Sequence, residues 1–346
     1  VRDRRALARV LWPMRGVQGE GKRKAEIGDW EAGRNGCGWM TVFSWQGVRL
    51  SIGVGALVAL GLAAGACGGG EGEDSGKVQV VTTLPLFADF VREIGGDRVE
   101  VTSLVPTGAD PHTFEPSPSD VKKVAQADIA FANGLDLEPS AIRLIEANLR
   151  GDAPFVLLAD RAMHPPPLVS FEPHIWMDPD LGSEYVKIIR EELGKLDPED
   201  DDTYESNTLR YLDAISVAGA DAAELIGSVP SRYRKLVTTH DAFKWFADAF
   251  GLEVIAVVAP SPGQEPSPED VANLARAIEE QDVPAVFREP QIDAEGRILE
   301  QAAKDAGVQV CTLYSDSLDD RVTSYIEMMR FNADEIARCL GGDNGG

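Results

Sequence analysis

The chain has 346 residues, enough for about two domains of roughly 100–200 residues each. With 44% hydrophobic and 26% charged residues, it is neither a disordered chain nor a multi-span membrane protein. A net charge of −24 argues against a protein that works by holding a nucleic-acid backbone.

The charge is uneven. Residues 1–66 carry ten Lys and Arg against five Asp and Glu, a net of +5, so the rest carries −29. Residues 1–47 are rich in Arg, Gly and Trp and hold four of the six tryptophans (Trp12, Trp30, Trp39, Trp45), with no sustained helical or strand period. Residues 50–66 form an uncharged, mostly apolar run preceded by Arg49 and ending in Ala63-Ala64-Gly65-Ala66 before Cys67. A positive flank, a short apolar stretch and a small-residue site describe a secretory signal. The Cys directly after them makes residues 48–66 resemble a bacterial lipoprotein signal, with Cys67 as the lipidated first residue of the mature chain. The alternative is a single transmembrane anchor, for which about 17 residues dense in Gly and Ala are marginal; Ala64 also stands where such signals usually have Leu. Signals begin near their charged flank, so translation is expected to start at Met40 or Val48, leaving residues 1–39 and Cys37 outside the protein. Residues 67–77, largely Gly and acidic, read as a flexible tether.

Beyond Lys77, residues 78–83, 99–105, 128–132 and 155–158 read as strands, separated by helical patterns such as 85–94 and 118–127. After Arg234 the pattern restarts, with strands at 235–239, 253–258, 285–288 and 309–314. Strands alternating with helices mean parallel sheets of βαβ units. The expected fold class is therefore α/β in two lobes, 78–200 and 228–340, each a parallel sheet flanked by helices, with a tail at 341–346. Between them, Tyr204, Thr208, Tyr211, Ile215, Ala218, Ala222 and Leu225 mark one face of a single linking helix at 201–227. Its 26-residue periodic stretch, 201–226, would be about 39 Å long, and a rod along both lobes would limit their relative motion. The lobes also echo each other: Glu115-Pro116-Ser117-Pro118-Ser119-Asp120-Val121 recurs as Glu265-Pro266-Ser267-Pro268-Glu269-Asp270-Val271, six of seven positions identical. Locally each is a helix start, with Ser at the N-cap, Pro first and an acid third.

All four histidines follow the signal. His112, His174 and His240 lie on segments that leave strands or enter helices, and in open α/β sheets ligands bind at the carboxyl ends of strands. Neutral imidazole is the commonest protein metal ligand, so three brought together make a candidate metal site. His164, in Met163-His164-Pro165-Pro166-Pro167, reads as a solvated loop histidine.

The stretches Thr82-Thr83-Leu84-Pro85, Pro111-His112-Thr113-Phe114-Glu115-Pro116-Ser117, Asn133-Gly134, His174-Ile175-Trp176-Met177-Asp178-Pro179, Thr239-His240-Asp241-Ala242-Phe243-Lys244-Trp245-Phe246, Glu289-Pro290-Gln291 and Asp316-Ser317-Leu318 occur in this order. Together they resemble the zinc- and manganese-binding solute receptors of bacterial ABC importers. The resemblance covers residues 77 to about 340. It implies a metal cleft between the lobes, with His112 and His174 from the first lobe and His240 and Asp316 from the second as ligands. It also implies a lipid-anchored, monomeric receptor on the outer face of the cell membrane or in the periplasm, with an ABC permease subunit as partner and no catalysis. Members that look manganese-selective often have Glu at the position of His240. Three nitrogens and one carboxylate suit Zn2+ better than Mn2+, whereas the His- and Asp-rich loop common in zinc receptors is missing from 138–173. A dual zinc and manganese receptor is the nearest alternative.

Glu115 and Glu289 are candidates to accept a hydrogen bond from the far nitrogen of a ligating His. Asp178, Asp241 and Asp316 each have a plainer reading as helix N-caps. Protonation of the histidines should weaken binding as pH falls through about 6.5. Two readings of other classes are a secreted zinc hydrolase and an adhesion lipoprotein stabilised by metal. The first lacks a His-Glu-x-x-His motif, and four protein ligands leave no position for water. Cys311 and Cys339 either form a disulfide, contributing on the order of 3 kcal/mol, or stay as two buried thiols.

Overall fold

The computed structural model describes residues 76–163 and 172–341. The signal, Cys67, most of the tether, His164 and residues 342–346 of the tail lie outside the described residues. Among the described residues no helix is long and apolar enough to cross a membrane.

The first lobe runs β1 (Val78–Thr82), α1 (Pro85–Gly95), β2 (Val99–Ser103), α2 (Pro118–Gln126), β3 (Ile129–Ala132), α3 (Pro139–Asn148), β4 (Phe155–Leu157), α4 (Leu158–Ala162) and α5 (Pro179–Leu196). The long helix α6 spans Asp201–Ser228. The second lobe runs β5 (Lys235–His240), α7 (Lys244–Phe250), β6 (Glu253–Ala259), α8 (Pro268–Glu280), β7 (Ala285–Arg288), α9 (Asp293–Ala306), β8 (Gln309–Thr312) and α10 (Tyr325–Leu340). All strand pairs are parallel, in the orders β2-β1-β3-β4 and β6-β5-β7-β8. The two sheets thus have the same topology.

Strand alternation divides the apolar residues between faces. Val80, Ile129 and Phe131 of the first sheet, with Leu236, Ala285 and Phe287 of the second, belong to one continuous core that also holds residues of α1, α5, α6 and α10. Val81 and Ala130 point to a separate core with residues of α2 and α3, and Val237 and Val286 to another with residues of α8 and α9. The echo is structural too. Asp120 accepts from the Ser117 backbone N–H and Asp270 from that of Ser267, each at 2.8 Å, giving both α2 and α8 a capping box. At the sheet centres, the Thr82 hydroxyl donates to the Leu84 carbonyl and the Thr238 hydroxyl to the His240 carbonyl.

Helix α6 buries Tyr204, Thr208, Tyr211, Ile215, Ala218, Ala222 and Ile226, while Leu225 is 37% exposed. The expected stripe ends one residue off, because the step after Ala222 is four residues rather than three. The C-terminal helix α10 is not confined to the second lobe. It packs along α6, and the backbone N–H of Tyr325 donates to Asp89 of α1 at 2.9 Å. Cys311 of β8 and Cys339 of α10 are joined as a disulfide.

Candidate metal centre

His240 is the last residue of β5, so its ring leaves the carboxyl edge of the second sheet. Asp316 lies on the loop after β8, His112 on the loop after β2, and His174 immediately before the turn Ile175–Met177 that leads into α5. Asp316 caps no helix: α10 begins at Tyr325 with Ser324 as its cap. Asp178 does cap α5, accepting from the Asp180 N–H at 2.8 Å. Asp241 does not cap α7. The chain turns through Ala242, whose N–H bonds back to the His240 carbonyl, and both Ala242 and Phe243 are buried before the helix starts at Lys244.

These four side chains, from four separated segments, meet. One ligand atom from each of His112, His174, His240 and Asp316 lies within 4.8 Å of all the others. His174 Nε2 is 3.3 Å from His112 Nε2 and 3.4 Å from His240 Nε2. Metal–nitrogen bonds of about 2.0–2.1 Å in a tetrahedron place neighbouring ligands about 3.3 Å apart. Asp316 Oδ1 is 3.0 Å from His174 Nε2, and Oδ2 is 3.2 Å from His240 Nε2 and 3.7 Å from His112 Nε2. Despite those distances neither oxygen accepts a hydrogen bond of good direction, and both are buried. Buried carboxylate oxygens without such bonds are costly, and a cation among the three nitrogens is the partner that fits them.

The far nitrogens fix which side of each ring faces inward. His240 Nδ1 lies 3.0 Å from Glu289, and His174 Nδ1 bonds Glu172. A carboxylate only accepts, so Nδ1 carries the proton and Nε2 presents its lone pair to the centre. Glu289 is itself held by the hydroxyls of Thr239 and Ser315. Glu115 does not play this part: its side chain is exposed and makes no hydrogen bond to a histidine. Near His112, Nδ1 instead lies 3.5 Å from the Ser261 hydroxyl of the second lobe. Asp110 sets its backbone, with Oδ1 accepting from the His112 N–H at 3.1 Å and Oδ2 from the Thr113 hydroxyl at 2.6 Å.

Glu172, Asp110, Ser261 and Ser315 were not singled out from sequence. A signal existed for two of them: Asp110-Pro111-His112 and Glu172-Pro173-His174 share an acid-Pro-His pattern, and in both the acid accepts the His N–H two residues on. Such short-range bonds across a proline are a local turn device.

Charge shapes the protonation of the cluster. Burial opposes a charged imidazole at His174, but Asp316 and Glu172 outweigh it and push its pKa up to about 9. Burial is likewise overcome at His240 by Glu289 and Asp316, raising it well above the ordinary value. Burial alone would raise Asp316, yet His174 and His240 hold it well below the usual carboxylate range. The protons that compete with a metal here are therefore held more tightly than those of a free histidine.

Two like-built α/β lobes, with a nitrogen-rich cluster where the carboxyl ends of both sheets meet, define a solute-binding receptor for a metal ion. The family described as zinc-uptake complex component A, periplasmic, matches residues 80–339. The chain belongs to this family, the metal-binding substrate-binding receptors of ABC importers, and it is not an enzyme. It is 32% identical to the metal ABC transporter substrate-binding lipoprotein FimA of Streptococcus parasanguinis, over 77% of this chain and 90% of that one. It is 30% identical to the manganese ABC transporter substrate-binding lipoprotein PsaA of Streptococcus pneumoniae, over 81% and 94%. Among solved structures, the periplasmic zinc-binding protein TroA of Treponema pallidum is similar with a TM-score of 0.72 and 32% identity, covering 77% of this chain and 99% of that one.

Proposed function

We propose that the chain is an extracytoplasmic receptor that captures zinc with His112, His174, His240 and Asp316 and passes it, as a monomer, to the membrane permease of an ABC importer. The observation that carries this reading is the convergence of those four side chains from four segments, with inter-nitrogen spacings of 3.3 and 3.4 Å. Three imidazoles and one carboxylate favour tetrahedral zinc. Capture makes and breaks no covalent bond: the ion displaces protons from the rings, and the carboxylate neutralises part of its charge. Metal analysis of protein purified without added ions tests the ligand set. The wild-type chain is expected to carry about one zinc per molecule, in keeping with a single four-ligand site, and His240→Ala to carry little. Equal zinc in both would overturn it.

Manganese is the second reading. It is favoured by the Asp316 carboxylate, which turns both oxygens toward the cluster, and by relatives named for manganese, such as PsaA. Oxygen-rich, higher-coordinate sites suit that ion. Raw affinity does not separate the two, because zinc outbinds manganese at almost any nitrogen and oxygen site. Growth of a deletion strain in metal-depleted medium does: rescue by the wild-type chain with added zinc supports the first reading, and rescue only with added manganese supports the second.

The same proposal places the lipid on Cys67, in keeping with the signal that precedes it and with relatives named as lipoproteins. Cys67→Ser is expected to move the protein from the membrane fraction to the soluble one.

A further inference from the structure

The segment carrying His174 belongs to the first lobe, yet the second lobe holds it on both sides. Trp245 of α7 donates its indole N–H to the carbonyl of Glu172 at 3.2 Å. Trp176 donates in the opposite direction, its indole N–H reaching the carbonyl of Ser315 at 3.2 Å in a buried contact. The two bonds bracket His174, and both end beside the cluster. Glu172 accepts from the His174 ring, and Ser315 precedes Asp316 and donates its hydroxyl to Glu289, the carboxylate behind His240. Tyr325 closes the set: its hydroxyl donates to the Trp176 carbonyl at 2.7 Å. His174 and His240 are thus tied across the cleft by hydrogen bonds joined through short stretches of backbone, and Asp316 is the residue that follows Ser315 in that path.

We propose that Trp176 and Trp245 are positioning residues, a reciprocal pair of indole bonds that keeps His174, His240 and Asp316 in register and sets how slowly the ion leaves. This rests on the receptor reading and adds to it a control over release. The two indoles suit the task because each is rigid and presents a single donor. Each acceptor is a main-chain carbonyl of the opposite lobe, so the bond reports backbone position rather than the conformation of a long side chain. Neither indole acts on the ion itself.

The test times zinc release from the full chain into excess chelator. Phe retains much of the aromatic body and removes the N–H, so Trp176→Phe and Trp245→Phe each separate donation from packing. Each is expected to speed release about tenfold, the lower end of what losing a supporting hydrogen bond does at a metal site. Uptake should stay within about twofold of wild type, as expected when a contact acts mainly on dissociation. A purely packing role would lower the thermal midpoint of the zinc-free protein and leave release unchanged. Trp176 is fully buried; should its variant fail to fold, the half-buried Trp245 carries the test. A folded Trp245→Phe that releases zinc at the wild-type rate, in a protein whose His240→Ala variant has lost zinc, overturns the proposal. A His240→Ala variant that keeps its full zinc overturns the receptor reading instead.

Discussion

At the scale of single residues, the carboxylates behind the histidines decide how strongly the rings can act. Glu289 accepts from His240, Thr239 and Ser315 at once. Glu289→Gln keeps the shape, loses the charge and turns an NH2 group toward donors. Zinc affinity should fall by about ten- to a hundredfold, measured by competition with a chelator; an unchanged affinity would show that His240 needs no such support. Asp316, together with these carboxylates, moves the pH window upward from the ordinary histidine value. Because the His174 pKa is pushed up to about 9, its stabilising interactions in the metal-free protein are fully present below about 6.5 and are lost as pH rises through about 9. Asp316, held low, contributes above about 3.8 and loses that contribution as pH falls through its depressed value. Metal binding runs the other way. Zinc must expel ring protons, so apparent affinity should rise from pH 6.5 to about 9, by about tenfold per pH unit for each proton displaced. Titrations at fixed pH, with proton release followed in weak buffer, check this; a plateau already reached by pH 7 would contradict it.

At the scale of elements, much was legible because the determinants are local. The eight strands lie within one or two residues of their expected bounds, and the capping boxes of α2 and α8 follow from Ser-Pro-x-Asp alone. His112, His174, His240 and Asp316 could be named together through resemblance, since spacing along the chain says nothing about their meeting. What stayed hidden depends on tertiary packing. Glu115 and Asp110 are both acids beside His112, and only the fold shows that Asp110 is turned inward. The end of the α6 stripe, Ile226 rather than Leu225, is decided by what packs there. The loop between β8 and α10 shows how elements protect the site. It carries Asp316, and the Cys311–Cys339 disulfide closes it over a separation of 28 residues. In the chain-entropy account such a closure contributes on the order of 3 kcal/mol. Reduction should therefore lower the thermal midpoint of the zinc-free protein by roughly 6–12 °C, at about 2–4 °C per kcal/mol for a domain of this size. A Cys311→Ser, Cys339→Ser double variant that melts with the oxidised wild type would show that the bridge contributes nothing.

At the scale of the whole molecule, the two lobes are not independent bodies hinged by a rod. Val80, Phe87 and Trp176 of the first share one apolar core with Leu236, Phe243 and Phe287 of the second. Helix α6 runs about 42 Å through its 28 residues, and α10 returns across it to bond α1. Wide opening would bring part of that core into water. Exposing even about 200 Å² of apolar surface costs about 5 kcal/mol at 25 cal/mol per Å², a large fraction of the stability of a typical domain. Entry and release of the ion are then expected to involve the loops at the mouth, where half-buried His112 meets Ser261, rather than separation of the lobes. Small-angle scattering checks this directly. The radius of gyration of chelator-stripped protein should stay within about 1 Å of the zinc-loaded value, the extent of backbone change usual for preorganised sites. An increase of several ångströms on stripping would mean that the shared core parts, and that the ligand set is assembled by closure instead of being held ready.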